Sequence, residues 1–200
     1  MGGNRAVIEA ACTELNGAGA PTLAVVLETT GSTYVCSGAI ALFAGSSQTG
    51  WLSGGCLEPE IARRAAQAAS SATIEWMEVD TQDDEAVFAG SAVGCRGRLR
   101  LTLLPLQYMQ GWPALASRWL DRRSSMQVSL SRDGQIRCSV GHDYASWRLP
   151  VGPQTWELDP GDSAMWEIDI PPPPSIIVFG AGPEATMLLP LLRSMGWMTT

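Results

Sequence analysis

Four consecutive prolines, Pro171–Pro174, divide this 200-residue chain into a long part and a short part. A proline run favours the extended polyproline conformation and acts as a stiff spacer between folded units. We therefore expect a domain over residues 1–170, a linker over residues 171–175 and the start of a second domain over residues 176–200.

The short part begins with an apolar run that leads into a glycine-rich turn. Gly180–Ala185 fits the pattern Gly-x-Gly-x-x-Gly/Ala, which follows a strand and opens a helix in dinucleotide-binding folds. Gly180 and Gly182 would let a pyrophosphate approach the positive end of that helix. The acidic residue that would hold a ribose hydroxyl is expected about 20 residues further on, beyond Thr200. A Rossmann-like element without a bound dinucleotide is therefore an open alternative.

The long part shows both helical and strand periodicity. Helices are predicted at residues 5–15, 59–69 and 112–123. Strands are predicted at residues 22–30, 38–45, 51–53, 73–80, 98–106 and 163–170, and a hairpin at residues 126–140 with a two-residue turn at Asp133-Gly134. The sequence therefore predicts the α/β class, with a mixed α/β N-terminal domain followed by the first βα unit of a Rossmann-like domain.

The composition excludes several kinds of site. The chain has no lysine, which removes a Walker-type phosphate loop and a Schiff-base lysine. It has one histidine, His142, so a multi-histidine zinc site cannot form and any Ser-His-Asp triad would need that residue. We expect His142 to lie exposed in a turn. The net charge of −7 argues against binding nucleic acid through its phosphates.

Five cysteines are spaced widely and form no Cys-x-x-Cys pair: Cys12, Cys36, Cys56, Cys95 and Cys138. The N-terminus lacks the apolar stretch of a signal peptide, and no apolar run reaches the length of a membrane span. We therefore expect a cytoplasmic protein with reduced thiols, in which such cysteines are buried, catalytic or ligating.

Two of these cysteines are flanked by glycines. Gly54 and Gly55 precede Cys56, which comes just before a predicted helix, where the positive helix end favours a thiolate. Cys95 lies between Gly94 and Arg96. The two cysteines could meet in one pocket and bind a soft metal, and Arg96 could bind phosphate or carboxylate. The alternative is that both are small residues packed in tight turns.

Three segments around these loops resemble the XdhC/CoxI family of maturation factors for xanthine and carbon monoxide dehydrogenases. They are residues 25–39, with the loop Gly31-Ser32-Thr33; residues 50–65, with Ser-Gly-Gly-Cys-Leu-Glu; and residues 93–105, with Gly-Cys-Arg-Gly. Residues 176–197 resemble the start of the family's C-terminal Rossmann domain, so the resemblance implies a chain that stops within that domain. Arg96 stands where the family usually has glycine.

The resemblance implies an accessory maturation factor rather than a turnover enzyme. Such proteins bind molybdenum cofactor (molybdopterin), help its sulfuration and hand it to a molybdenum hydroxylase. Cys56 and Cys95 would then contact the metal or dithiolene, with no catalytic residue as such. The other cofactor-binding candidates are Gly31, Ser32, Gly54, Gly55, Glu58, Arg96, Gly180 and Gly182.

The implied partners are a molybdenum hydroxylase of the xanthine or carbon monoxide dehydrogenase type and a cysteine desulfurase. We also expect a homo-oligomer, without nucleic-acid binding or membrane association. Two other functions stay open. The turn at Gly180 would suit an NAD(P)-dependent oxidoreductase, and Cys56 would suit a thiol-based redox protein that forms a disulfide with Cys95.

Overall fold

A computed structural model of the protein describes residues 3–17, 19–80, 97–121, 124–153, 156, 165–180 and 182–199. Its helices are α1 (Gly3–Asn16), α2 (Glu58–Ser71), α3 (Trp112–Asp121) and α4 (Pro183–Ser194), with a short 3-10 helix at Leu106–Tyr108. Its strands are β1 (Thr22–Gly31), β2 (Ile40–Ala44), β3 (Ser47–Thr49), β4 (Glu75–Asp80), β5 (Gly97–Pro105), β6 (Met126–Ser131), β7 (Gln135–Val140), β8 (Asp143–Arg148), β9 (Met165–Ile170), β10 (Ser175–Ile176) and β11 (Met198–Thr199).

A five-stranded antiparallel sheet organises the described part of the chain. Its strand order is β3-β2-β1-β5-β4, so that β1 lies at the centre between β2 and β5. The pairing of β1 with β5 runs from Thr22 opposite Pro105 to Gly31 opposite Gly97, with an irregularity between Val26 and Glu28. This register places the end of β1 directly beside the start of β5.

Both faces of this sheet are buried, which explains why β1 reads as a continuous apolar run. Alternate residues of β1 point to opposite faces: Leu23 and Val25 belong to one apolar core, whereas Ala24 and Val26 belong to another. The second core is closed by α2, whose inward residues are Ile61, Ala65 and Ala68, as the helical spacing predicts.

The first core is closed by α1, α3 and a second sheet. That sheet has the order β8-β7-β6-β9 and is antiparallel throughout, with β9, predicted as a strand at residues 163–170, at its edge. The buried ring of Trp119 in α3 donates a hydrogen bond to the carbonyl of Ile170 in β9 at 3.1 Å. Trp112 and Trp119 both lie on the buried face of α3. The hairpin β6–β7 and the edge strand are therefore confirmed.

Two local predictions are wrong. The third strand of the first sheet is Ser47–Thr49 rather than residues 51–53, because Gly50 adopts a left-handed φ of +91° and ends it. The β6–β7 hairpin lacks the predicted two-residue turn at Asp133-Gly134. Such a turn of type I′ needs positive φ at both residues, and Gly134 alone has it, at +86°. The turn instead closes from Ser131 to Gly134.

The residues after the prolines form a small parallel βαβ unit. Ser175 and Ile176 of β10 pair with Met198 and Thr199 of β11, and α4 connects the two strands. This arrangement agrees with the predicted βα unit followed by the start of a second strand. The domain boundary at the prolines stays a prediction. Among the described residues, no helix is both long and apolar enough to cross a membrane.

A charged ladder crosses the central strands on the face toward the second sheet. Arg100 of β5 stands opposite Glu28 of β1 and Glu78 of β4 in the strand register. Its guanidinium is 2% exposed and lies 2.6 Å from the Glu78 carboxylate and 3.3 Å from that of Glu28. The guanidinium also lies over the ring of Trp156, 5.3 Å from its centroid. A buried cation is thus matched by two carboxylates and an aromatic ring.

We predict that Arg100→Ala destabilises the fold strongly. Removing one member of a buried ion pair costs about 3 kcal/mol or more, because the remaining charges lose their partner in a poorly solvated place. The control is Arg63→Ala on α2, whose ion pair with Glu60 is exposed to solvent and should therefore contribute little to stability. Urea unfolding measures the free energy of unfolding of both variants. If both lose the same amount, the charged ladder does not stabilise the fold more than an exposed ion pair does.

Candidate functional site

The loop at Ser32 and the loop at Cys56, which the sequence motifs single out, meet at one small cavity. We call it the Cys56 cavity. Its volume is about 40 Å3, and four separate segments contribute to it: the turn after β1, the loop before α2, the end of β4 and the start of β5. Its lining residues are Ser32, Thr33, Tyr34, Leu52, Ser53, Gly54, Cys56, Leu57, Val79, Gly97 and Leu99. The β1–β5 pairing and the position of α2 therefore bring distant parts of the sequence together here.

The buried carboxylate of Glu58 determines the shape of the loop over residues 51–57, which we call the cysteine loop. Glu58 is 4% exposed. Its Oε1 accepts hydrogen bonds from the backbone N–H groups of Leu52 at 3.0 Å and Ser53 at 2.8 Å, and its Oε2 accepts one from the Ser53 hydroxyl. The loop is thus tied to the first turn of α2 by three hydrogen bonds to one charged group.

The Ser53 hydroxyl extends this network to the cysteine. Its Oγ accepts backbone hydrogen bonds from Gly55 at 3.2 Å and Leu57 at 3.1 Å, and a weak one from the Cys56 thiol at 3.6 Å. Burial raises the pKa of the Glu58 carboxyl, but the hydrogen bonds from Ser53 and Leu52 outweigh it and hold the pKa below its ordinary value. Glu58 therefore acts as an ionised anchor for the loop.

Glu58 does not line the Cys56 cavity, although the sequence suggested it as a cofactor contact. Its carboxylate faces the backbone of the cysteine loop instead. The signal that sequence reasoning missed is Ser53, which supplies the hydroxyl between Glu58 and Cys56. Tyr34, which also lines the cavity, was missed as well, since an aromatic residue in a loop carries no periodic signal.

Cys56 itself is exposed, and it precedes α2 by two residues, as predicted. Cys36 is exposed too, but it does not line the Cys56 cavity. Burial raises the pKa of the Cys138 thiol to about 12, and burial followed by the charge of Glu9 raises that of Cys12. These two thiols are therefore unreactive packing groups, as their places in a strand and a helix suggested.

Glycines shape the cavity in two different ways. Gly31 and Gly55 adopt left-handed φ angles of +74° and +106°, whereas Gly54 does not. Gly97 is needed for close approach, because a Cβ there would lie 2.7 Å from the Thr33 methyl group and against the Ser32 carbonyl. A Cβ at Gly54 would meet nothing within 4 Å. Of the two glycines before Cys56, only Gly55 therefore uses a positive φ, and Gly54 faces open space.

An adjoining groove, which we call the Trp51 groove, shares Tyr34, Ser53 and Gly54 with the Cys56 cavity. Its volume is about 620 Å3, within the usual range for sites that bind small molecules. Its other lining residues come from α1, β2, β3 and the turn after β1: Gly3, Asn4, Ala6, Val7, Val35, Ala39, Ile40, Gln48, Thr49, Gly50 and Trp51. None of the described residues that line the cavity or the groove is charged.

The remaining predicted site residues lie elsewhere or outside the described part. Gly94, Cys95 and Arg96 fall outside the described residues, so the pairing of Cys95 with Cys56 stays a prediction. His142 lies exposed in the turn between β7 and β8, as expected. No group of three or more His, Cys, Asp or Glu side chains that could hold a metal ion occurs among the described residues.

The glycine turn before α4 has one feature that bears on dinucleotide binding. Gly180 has a φ of +105°, and Gly182 caps α4. A Cβ at Gly182 would lie 2.6 Å from a carboxylate oxygen of Glu184. Glu184 therefore puts a negative charge at the helix end that a pyrophosphate would approach, which opposes binding of that anion.

Fold and site together define a mixed α/β protein with an exposed thiol at a small cavity that adjoins a larger groove, and the described lining residues of both are uncharged. The model of the XdhC and CoxI family matches residues 16–78. This match confirms the resemblance that the sequence motifs indicate. The matched segment contains both the turn at Ser32 and the whole cysteine loop.

A solved structure from Bacillus halodurans, described as a xanthine dehydrogenase, is similar over 96% of this chain, with a TM-score of 0.73 and 23% sequence identity. The chain spans 60% of the length of that protein. At this identity the similarity shows the fold, and the predicted mixed α/β class is confirmed. No curated protein matches the chain.

We predict that Glu58→Gln lowers the free energy of unfolding by about 2 kcal/mol at pH 7, because a neutral amide cannot replace a carboxylate that accepts three hydrogen bonds. The pKa of Glu58 is lowered on folding. Its contribution is therefore present above the pKa of an unfolded glutamate and is lost as the pH falls through the folded-state pKa. Urea unfolding at several pH values would show the difference between the two proteins shrinking in acid.

The matched control for this prediction is Glu60→Gln in the same helix turn. Hydrogen bonds from Arg63 and Arg64 lower the pKa of Glu60 to about 2, but its side chain is 43% exposed, so we expect less than about 1 kcal/mol. The loss of unfolding free energy in Glu58→Gln should depend on pH and exceed the loss in Glu60→Gln. If it stays constant with pH, or equals the loss in Glu60→Gln, the carboxylate does not anchor the loop.

A separate prediction concerns the closeness of β5 to the turn after β1. Gly97→Ala should cost about 1–3 kcal/mol, since the added methyl group must push away the Ser32 carbonyl and the Thr33 side chain. Gly54→Ala should leave stability within about 0.5 kcal/mol, because that position faces open space. Thermal unfolding of both variants measures their stabilities. The prediction is contradicted if Gly54→Ala loses more stability than Gly97→Ala.

Proposed function

We propose that this protein binds molybdenum cofactor at the Cys56 cavity and acts as an accessory factor in the maturation of a molybdenum hydroxylase of the xanthine dehydrogenase type. One observation carries the proposal. The segment that matches the XdhC and CoxI family contains Cys56, and the structure presents this thiol at a cavity that opens beside a ligand-sized groove. The family match supports the accessory role in general.

The chemistry of Cys56 suits a soft metal centre. Sulfur ligands select soft or thiophilic metals, and a bound thiol must first lose its proton. Because the cysteine loop is fixed by Glu58 and Ser53, the thiol can bind without the loop having to fold at the same time. A preorganised loop reduces the entropy lost on binding.

The same geometry suits holding and release better than turnover. Cys56 would provide a single contact from an exposed loop, and the groove beside it is open to solvent. The described lining offers hydroxyl, amide and thiol groups and no charged side chain to act as a strong acid or base. Transfer of the bound cofactor to a molybdenum hydroxylase, after sulfuration by a cysteine desulfurase, would follow from such a reversible contact.

We predict that Cys56→Ser weakens binding of molybdenum cofactor by at least tenfold. Serine keeps the size and the hydrogen bond to Ser53 but removes the soft ligand atom, so the loss reports on the metal contact. The measurement is titration of the protein with cofactor freshly released from a molybdenum enzyme, followed by filtration to separate bound cofactor from free.

The control is Cys36→Ser, which removes another exposed thiol that does not line the cavity. We expect this variant to bind like the original protein. Unchanged binding in the Cys56 variant would remove Cys56 from the site. No binding of the cofactor by the original protein would overturn the proposed function itself.

A further inference from the structure

Two aromatic side chains beside the Cys56 cavity are exposed and make no polar contact. Tyr34 is 60% exposed and Trp51 is 52% exposed. Within the described part of the chain, neither side chain has a hydrogen bond or a ring partner. Two other exposed aromatic residues are engaged: the hydroxyl of Tyr108 donates a hydrogen bond to the Ala69 carbonyl, and the ring of Tyr144 lies under Arg137. Phe179 is 93% exposed, but it lines neither the cavity nor the groove.

These two rings lie where a ligand in the Trp51 groove would extend from Cys56. Tyr34 lines both the groove and the Cys56 cavity, so it stands at their junction. Trp51 lines the groove and begins the cysteine loop, five residues before the thiol. The groove wall between them includes the apolar residues Val7, Val35 and Ile40.

The sizes of the two spaces assign different parts of a ligand to them. The Cys56 cavity, at about 40 Å3, has room for a few water-sized groups, since one water molecule needs roughly 10–15 Å3. It can admit the end of a ligand but not a ring system. The Trp51 groove, at about 620 Å3, can admit a fused bicyclic ring.

The chemistry of the groove favours an uncharged flat ring with polar edges. Aromatic faces stack on flat heteroaromatic rings, and the Tyr hydroxyl and Trp N–H can still donate hydrogen bonds. Gln48, Thr49 and Asn4 add neutral hydrogen-bonding groups to the groove. A charged group would find no opposite charge among the described lining residues.

We propose that Trp51 and Tyr34 bind the pterin ring of the cofactor, with the metal end directed toward Cys56. This inference rests on the proposed function and adds a second subsite to it. The two subsites make separate demands, since the pterin ring needs the aromatic groove and the metal needs the thiol. Pterin alone should therefore bind without help from Cys56.

The test uses free pterin, whose own fluorescence reports binding to the 200-residue protein by polarisation. The original protein should bind pterin, and Trp51→Ala should weaken binding roughly tenfold, which is the usual effect of removing a stacked ring. Trp51→Phe keeps a ring and should lose less. Cys36→Ser, which removes an exposed thiol outside the cavity and the groove, should bind pterin normally.

The matched control is Tyr144→Ala, which removes an equally exposed aromatic residue from the second sheet. An equal loss in the Tyr144 and Trp51 variants would overturn the proposal, as would full binding by Trp51→Ala. If the protein binds whole cofactor through Cys56 but does not bind pterin, the subsite is wrong and the proposed function stands. A protein that binds neither contradicts both.

Discussion

The pairing of β1 with β5 is the constraint on which the rest of the structure depends. A slip of one residue would exchange the faces of β5, so that Leu101 and Leu103 would leave the core under α2 and Arg100 would enter it. The observed register instead sets Arg100 between two carboxylates. It also ends the ladder at Gly31 opposite Gly97, where two glycines let the following turn approach closely. The apolar core, the ion-pair ladder and the cavity therefore all depend on the register between β1 and β5.

The cysteine loop shows how an irregular segment can be rigid and still accessible. Its inward side is held by Glu58, a buried charge whose cost of burial is offset by hydrogen bonds from the loop itself. Its outward side carries Gly54 in open space and the exposed Cys56. The hydrogen bonds fix the backbone without using the thiol as a structural group, because the contact of Cys56 with Ser53 is long and weak.

Much of the fold could be predicted because its elements follow simple periodicities. Apolar runs located β1 and β2, the alternation of apolar and polar residues located β4 and β5, and the helical spacing on α2 gave its buried face. The role of Glu58 could not be predicted this way. A glutamate in a first helical turn is ordinarily explained by the helix dipole, and its burial depends on how the preceding loop folds back. The exposed ring of Trp51 was missed for the same reason, since the groove that it lines also takes residues from α1 and β2.

The described residues that line the site are uncharged, in contrast to the acidic character of the whole chain, whose net charge is −7. At long range such a field repels anions, so an anionic cargo must be held by short-range contacts such as a soft sulfur atom and a stacked ring. A partner with a basic surface would be attracted by the same field. If the proposed function is correct, a basic partner that approaches the site would attract the anionic cofactor and so favour its movement from the acidic chain toward the partner. The charge of the chain would then favour release toward the partner, while the uncharged lining would keep the cargo from being bound too tightly to leave.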